Sequence, residues 1–207
     1  MPDSSYADLG ALRAEIRAHA GCGFEVCESA TQLVPGDGDP RARLMLVGEA
    51  PGASEDREGR PFVGRAGQLL DEVLGHAGLR RADVYVTNVV KARPPANRDP
   101  KPAEVVHHRP WLLAELELVR PDLIVPLGRH ALAHFAAGFK ITQVAGTLLE
   151  SDGCRVFPLL HPAAALRSPA MRERLFADAL RLRDVLDGPL PGGQAGARAS
   201  AARPPVV

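Results

Sequence analysis

Cysteine is scarce in this 207-residue chain: Cys22, Cys27 and Cys154 are too few to close a disulfide framework, and a reducing compartment would keep them as thiols. No stretch of about 18 apolar residues occurs, which speaks against a membrane-spanning helix. The first residues, MPDSSYADLGALRAE, lack the basic-then-apolar order of a secretory signal, so the expectation is a cytoplasmic protein with no membrane partner. Net charge is missing as well. The 25 basic side chains balance 25 acidic ones, and nothing global announces a polyanion. Lysine is nearly absent: only Lys91, Lys101 and Lys140 occur beside 22 arginines, whose planar fork suits phosphate, although a GC-rich genome produces the same bias.

What is present describes one ordinary domain, 45% hydrophobic and 24% charged. The expected domain covers residues 1–187, and the Gly/Ala/Pro/Arg-rich remainder, 188–207, has too little to bury and reads as a disordered tail. Leu9, Leu12, Ile16 and Ala20 recur at helical spacing before Gly21 and Gly23 end the pattern. Short apolar runs at 44–47, 84–87, 123–127 and 156–160 predict buried strands. Helical periods over 69–77, 105–119, 129–136 and 171–186 follow them in turn. Such alternation predicts a three-layer α/β/α sandwich around a four-stranded parallel sheet.

In an open parallel sheet the ligand crevice lies beyond the carboxyl ends of the strands. Those ends carry Gly48-Glu49, Asn88, Gly128-Arg129-His130 and His161-Pro162. A carboxylate, an amide and an imidazole from different strands would supply an acid or base, a hydrogen-bond reader and an electrophilic donor to one cleft. The segment 48–67 is too long for a plain connection. It has no Gly-Lys-Ser/Thr of a phosphate-binding loop, and Ser54 lacks the Gly-x-Ser-x-Gly elbow of a hydrolase nucleophile. After the second strand, 91–101 is a Pro-stiffened segment with cations at Lys91, Arg93, Arg98 and Lys101, suited to phosphates. His130 and His134 have metal spacing but lack the intervening Glu of a zinc-protease motif, which favours surface or packing roles.

Three segments, GEAPGASEDREGRPFVGRAGQLLD, VYVTNVVKARPPANRDPKPAE and LLHPAAALR, resemble the family 4 uracil-DNA glycosylases of bacteria and archaea. The resemblance runs over about 44–186 in matching order and spacing. It implies a monomeric, monofunctional glycosylase that extrudes uracil from DNA and hydrolyses its N-glycosidic bond, initiating base excision repair. Carried onto this sequence, Phe62 stacks on the extruded ring and Asn88 reads its edge. Glu55 crowds C5 against thymine, and the Ala50 amide holds a uracil oxygen. His161 donates to O2 as charge develops, while Glu49 positions water or stabilises the cationic sugar. Leu166 becomes the wedge in the duplex, with Arg167, Arg93 and Lys91 on phosphates.

Departures from the pattern concern the family's 4Fe-4S cluster. Of its four cysteine positions the third falls on Ala92 and the fourth on His108, and the N-terminal pair is irregularly spaced as Cys22-x4-Cys27. The expectation is therefore no cofactor and no metal. A zinc on Cys22, Cys27 and His108 is the minor possibility, with its fourth ligand unidentified. The incomplete ligand set also motivates the alternative function, a DNA-binding or accessory homologue with the same fold and little activity. Altered specificity for hypoxanthine or xanthine is disfavoured by Asn88, Phe62 and Glu55.

Overall fold

The computed structural model describes residues 6–151 and 153–188; the tail expected from 188 onward, Gly188 aside, lies outside the described residues. Along the chain run α1 (Leu9–Ala18), α2 (Glu25–Glu28), β1 (Asp37–Gly38), β2 (Leu44–Gly48), α3 (Ala53–Glu58), α4 (Arg65–His76), β3 (Tyr85–Asn88) and α5 (Pro102–Val119). There follow β4 (Leu123–Pro126), α6 (Gly128–Phe135), α7 (Ile141–Val144), β5 (Leu149–Ser151), β6 (Cys154–Val156), α8 (Pro162–Ala165) and α9 (Pro169–Asp187). Asp8 caps α1 by accepting from the Ala11 N–H at 2.9 Å, and Ser168 caps α9 on Met171.

The sheet is mixed and six-stranded, in the order β1-β3-β2-β4-β6-β5, and this corrects the expected four-stranded parallel sheet. β3, β2, β4 and β6 run parallel, while β1 and β5 pair antiparallel at the two edges. The edges escaped periodicity because β1 has two residues, β5 three, and neither is an apolar run. Short edges of this kind limit pairing with other chains. The fourth apolar run stays bonded to its neighbour beyond β6. The Phe157 N–H donates to the Ile124 carbonyl at 2.9 Å and the Leu159 N–H to the Pro126 carbonyl at 3.0 Å, while Pro158, which has no N–H, falls between these donors and its carbonyl accepts from the Gly146 N–H at 2.8 Å.

Alternation along β2 divides the core. Met45 and Val47 pack on one face with Leu12 and Ile16 of α1 and Trp111 and Leu112 of α5. Leu44 and Leu46 pack on the other with Leu69, Leu70 and Val73 of α4 and Leu175 and Leu182 of α9. Truncating a fully buried side chain such as Ile16 to Ala would cost about 2–5 kcal/mol. From central β2 the chain crosses to β3 on one side and then to β4 on the other. A reversal of this kind opens a crevice at the strands' carboxyl ends. Among the described residues no helix is long and apolar enough to cross a membrane.

Candidate active site

The loop after β2 is tied down from both sides. Glu55, in the first turn of α3, accepts from the Gly52 N–H at 3.1 Å with one carboxylate oxygen. Its other oxygen accepts from Val63 and Gly64 at 2.9 and 2.7 Å. The Arg81 guanidinium donates to the Pro61 carbonyl at 2.8 Å. Between these clamps Phe62 sits at φ 55°, a left-handed conformation that a bulky residue adopts only when its surroundings impose it. Glu55 therefore has a visible positioning role that the sequence did not suggest: its carboxylate shapes the segment that presents Phe62.

That ring points at the end of β2. A Cβ on Gly48 would stand 2.6 Å from Phe62 Cζ and 2.3 Å from Asn88 Oδ1, so glycine is required where the ring and the amide converge. Asn88 ends β3 and is 2% exposed, and its Oδ1 has no hydrogen-bond partner among the described residues. An orphaned buried acceptor costs about 1–3 kcal/mol, which makes it conspicuous as a group awaiting a donor.

His161 begins α8, its ring centroid 5.9 Å from that of Phe62. Gly128, at φ +85°, leaves room for it, because a Cβ there would lie 2.9 Å from His161 Cβ. Nδ1 accepts from the Ala163 N–H at 3.1 Å, so the neutral ring carries its proton on Nε2. Burial pulls its pKa down to about 4, outweighing the Glu55 carboxylate, which raises it. The imidazole is thus a neutral hydrogen-bond donor near pH 7.

Glu49 is half-buried beside His130, Oε2 to Nε2 3.9 Å. Burial raises its pKa, His130 opposes that rise, and Asp99 adds to it. His130 Nε2 lies 3.2 Å from Asp99 Oδ2, and Arg129 donates to the same oxygen at 2.7 Å. Arg129 Nε also donates to His130 Nε2 at 2.8 Å. That nitrogen can accept from Arg129 or, once protonated, face Asp99, but not both. His130 and Asp99 were missed as site residues; position at a strand end was the signal for His130.

Lys91 corrects an expected phosphate contact. Its side chain is 0% exposed, and Nζ donates to Glu115 Oε2, Thr87 Oγ1 and the Asn88 carbonyl at 2.6, 2.7 and 2.7 Å. Such an ammonium cannot reach DNA. Burial lowers its pKa while Glu115 raises it. Arg93 is half-buried and donates to Asn97 Oδ1 at 2.8 Å, leaving other N–H groups for a ligand. Leu166 is 36% exposed at the end of α8, Arg167 beside it is exposed, and Ala50 is half-buried next to Glu49. His134 is buried, as its packing reading requires.

Beyond this crevice, Ala92 is fully buried and offers no donor at its cluster position. His108 is buried too, its Nδ1 accepting from the Lys91 N–H at 3.2 Å and its Nε2 lying 3.4 Å from Cys27 Sγ. A different set converges: one ligand atom each from His19, Cys22, Cys27 and His107, all within 4.8 Å of one another. Two thiols and two imidazoles have the chemistry of a metal centre. A group held there would join the segment after α1 to α5.

A parallel-centred sheet with a crevice at its carboxyl ends, onto which an aromatic ring, an amide and a neutral imidazole converge, defines an α/β class with a ligand site at the strand ends. The family model of the Uracil DNA glycosylase superfamily matches residues 35–182, and the chain belongs to that superfamily. Similar proteins include the type-4 uracil-DNA glycosylase of Thermotoga maritima, 49% identical over 67% of this chain and 73% of its own. Those of Archaeoglobus fulgidus and Sulfurisphaera tokodaii are 46% and 43% identical, over 72% and 75% of this chain and 79% and 75% of theirs. These relatives overturn the expectation of a protein without cofactor. Type 4 is the class to which the resemblance assigns an iron–sulfur cluster, but the residues here do not fit a four-iron cube: Ala92 and His108 stand at two of its cysteine positions, and the four donors that do converge are two thiols and two imidazoles drawn together within 4.8 Å.

Proposed function

We propose that this chain hydrolyses the N-glycosidic bond of uracil in DNA and so initiates base excision repair. The observation that carries this reading is Asn88: a buried amide whose Oδ1 lacks a partner among the described residues, beside a clamped aromatic ring and a neutral imidazole. Uracil presents N3–H to an acceptor and O4 to a donor, which one amide can match. Cytosine presents the reverse and would leave buried groups unpaired. Phe62 stacks on the extruded ring, the fixed Glu55 carboxylate crowds C5 against a methyl group, and the Ala50 amide holds a uracil oxygen.

In the chemical step the C1′–N1 bond breaks with its electron pair passing to the base, and a water oxygen bonds to C1′. His161 Nε2–H donates to O2 as the uracil anion forms, keeping its proton; a preorganised neutral donor of this kind contributes through electrostatics. Glu49 orients the water and receives or passes on its proton, and its negative charge favours the cationic sugar. Leu166 fills the space left by the extruded nucleotide, with Arg167 and Arg93 on flanking phosphates. The working unit is a monomer in the cytoplasm, one domain over 1–187, acting on single- or double-stranded DNA.

Single-turnover cleavage of a uracil oligonucleotide, single-stranded and paired with G, tests this beside a His161→Ala control. Cleavage that falls about 100-fold or more in the control is expected. A folded protein at stoichiometric concentration that cleaves neither substrate would refute it.

A further inference from the structure

A second centre lies on the face of the sheet that α1 and α5 cover, built from residues outside the crevice, two of them the cysteines that the resemblance places at its cluster. After α1 the chain leaves the helix at His19, and left-handed Gly21 and Gly23, at φ +68° and +77°, turn it sharply around Cys22. Cys27 then sits in α2, and His107 comes from α5, 88 residues beyond His19. The two imidazole Nε2 atoms stand 3.1 Å apart, and both thiol sulfurs join them inside the 4.8 Å span. Nitrogens about 2.0–2.1 Å from one tetrahedral ion are separated by about 3.3 Å, and two sulfurs about 2.3 Å from it by about 3.8 Å. The constellation therefore has the dimensions of one ion.

Its surroundings are arranged for coordination. Phe24 stacks on His107 at 4.4 Å and 17°, and the edge of Trp111 meets His19 at 4.7 Å and 80°, so both rings are held in orientation. The Lys91 N–H occupies His108 Nδ1, which puts the His108 proton on Nε2, facing Cys27 Sγ at 3.4 Å. A donor aimed at sulfur is the polarity that a thiolate requires from its second layer of contacts. Two thiolates and two neutral imidazoles around a divalent cation sum to zero charge, which suits a site packed against Phe24 and Trp111.

We propose that His19, Cys22, Cys27 and His107 coordinate a single zinc ion that pins the N-terminal segment to α5. The ligand set differs from the positions implied by the resemblance, since it uses His19 and His107 rather than residues 92 and 108. Mixed sulfur and nitrogen donors with tetrahedral spacing suit zinc.

The test is metal analysis and X-ray absorption on the unmodified full-length chain, which needs no variant to fold. Expected are close to one zinc per chain and a shell of two sulfurs at about 2.3 Å and two nitrogens at about 2.0 Å. In His107→Ala and His19→Ala variants the zinc retained against a competing chelator should fall at least about 100-fold. His108→Gln should keep zinc stoichiometric and weaken it about 10- to 100-fold. Iron with matching acid-labile sulfide, a shell without nitrogen, or a folded chain that takes up no zinc on reconstitution would each overturn the assignment. None of these outcomes bears on uracil cleavage, so the proposal and the glycosylase reading fail separately.

Discussion

Replacing Lys91 by Met tests whether this cation belongs to the core or to the DNA surface. The ammonium has three donors and three partners, at 2.6–2.7 Å, so none of its hydrogens is left over. Glu115 is equally committed: besides Lys91 it accepts from the Gly36 N–H at 2.8 Å and the Thr87 hydroxyl at 2.7 Å, with the Tyr85 hydroxyl at 3.4 Å. Met fills most of the volume but leaves the carboxylate buried without its counter-charge, a loss of about 3–5 kcal/mol. Against a total stability of about 5–15 kcal/mol, that is a large fraction. With a urea slope of about 2–3 kcal/mol/M the midpoint should fall by about 1–2.5 M. The double variant Lys91→Met/Glu115→Met should recover much of the loss, because it removes both charges, and the cycle isolates the coupling. The salt dependence of DNA binding should not change. A midpoint within experimental error of the parent, or a salt slope reduced by about one unit as for a lost phosphate contact, would refute the burial argument.

Gly48→Ala should leave the fold cooperative and reduce uracil cleavage at least tenfold, since the new methyl would lie 2.3 Å from Asn88 Oδ1 and 2.6 Å from Phe62; unimpaired single-turnover rates would contradict this. His161 should be seen by NMR as the neutral Nε2–H tautomer at pH 7, titrating near 4 and not near 6.5. The unfolded chain then binds a proton between pH 6.5 and 4 that the folded chain does not, so His161 makes stability fall as pH drops through that window. A ring titrating at 6.5 would remove that contribution. Leu166→Ala should slow cleavage of duplex uracil several-fold more than single-stranded uracil, because only the duplex leaves a gap to fill; equal effects on both substrates would count against the wedge.

Local periodicity was enough for α1, α4, α5, α6 and α9, the parallel centre of the sheet and the strand ends where Glu49, Asn88 and His161 stand, whereas the four- to six-residue helices α2, α3, α7 and α8 are too short to carry a repeat. An apolar run or a 3.6-residue repeat is written within about ten consecutive residues, and the site of an open α/β sheet follows from where those runs stop. Edge strands of two and three residues carry no such repeat, and they form only because a neighbouring strand offers a free edge. Tertiary structure alone decided the fate of Lys91. In sequence it heads a cationic segment, whereas in space Glu115, 24 residues away on α5, draws it into the core. The metal ligands divide the same way. Cys22 and Cys27 were visible as a pair, but His107 rather than His108 completes the set with His19, because adjacent helical residues point about 100° apart and only the packing of α5 determines which one faces the turn after α1.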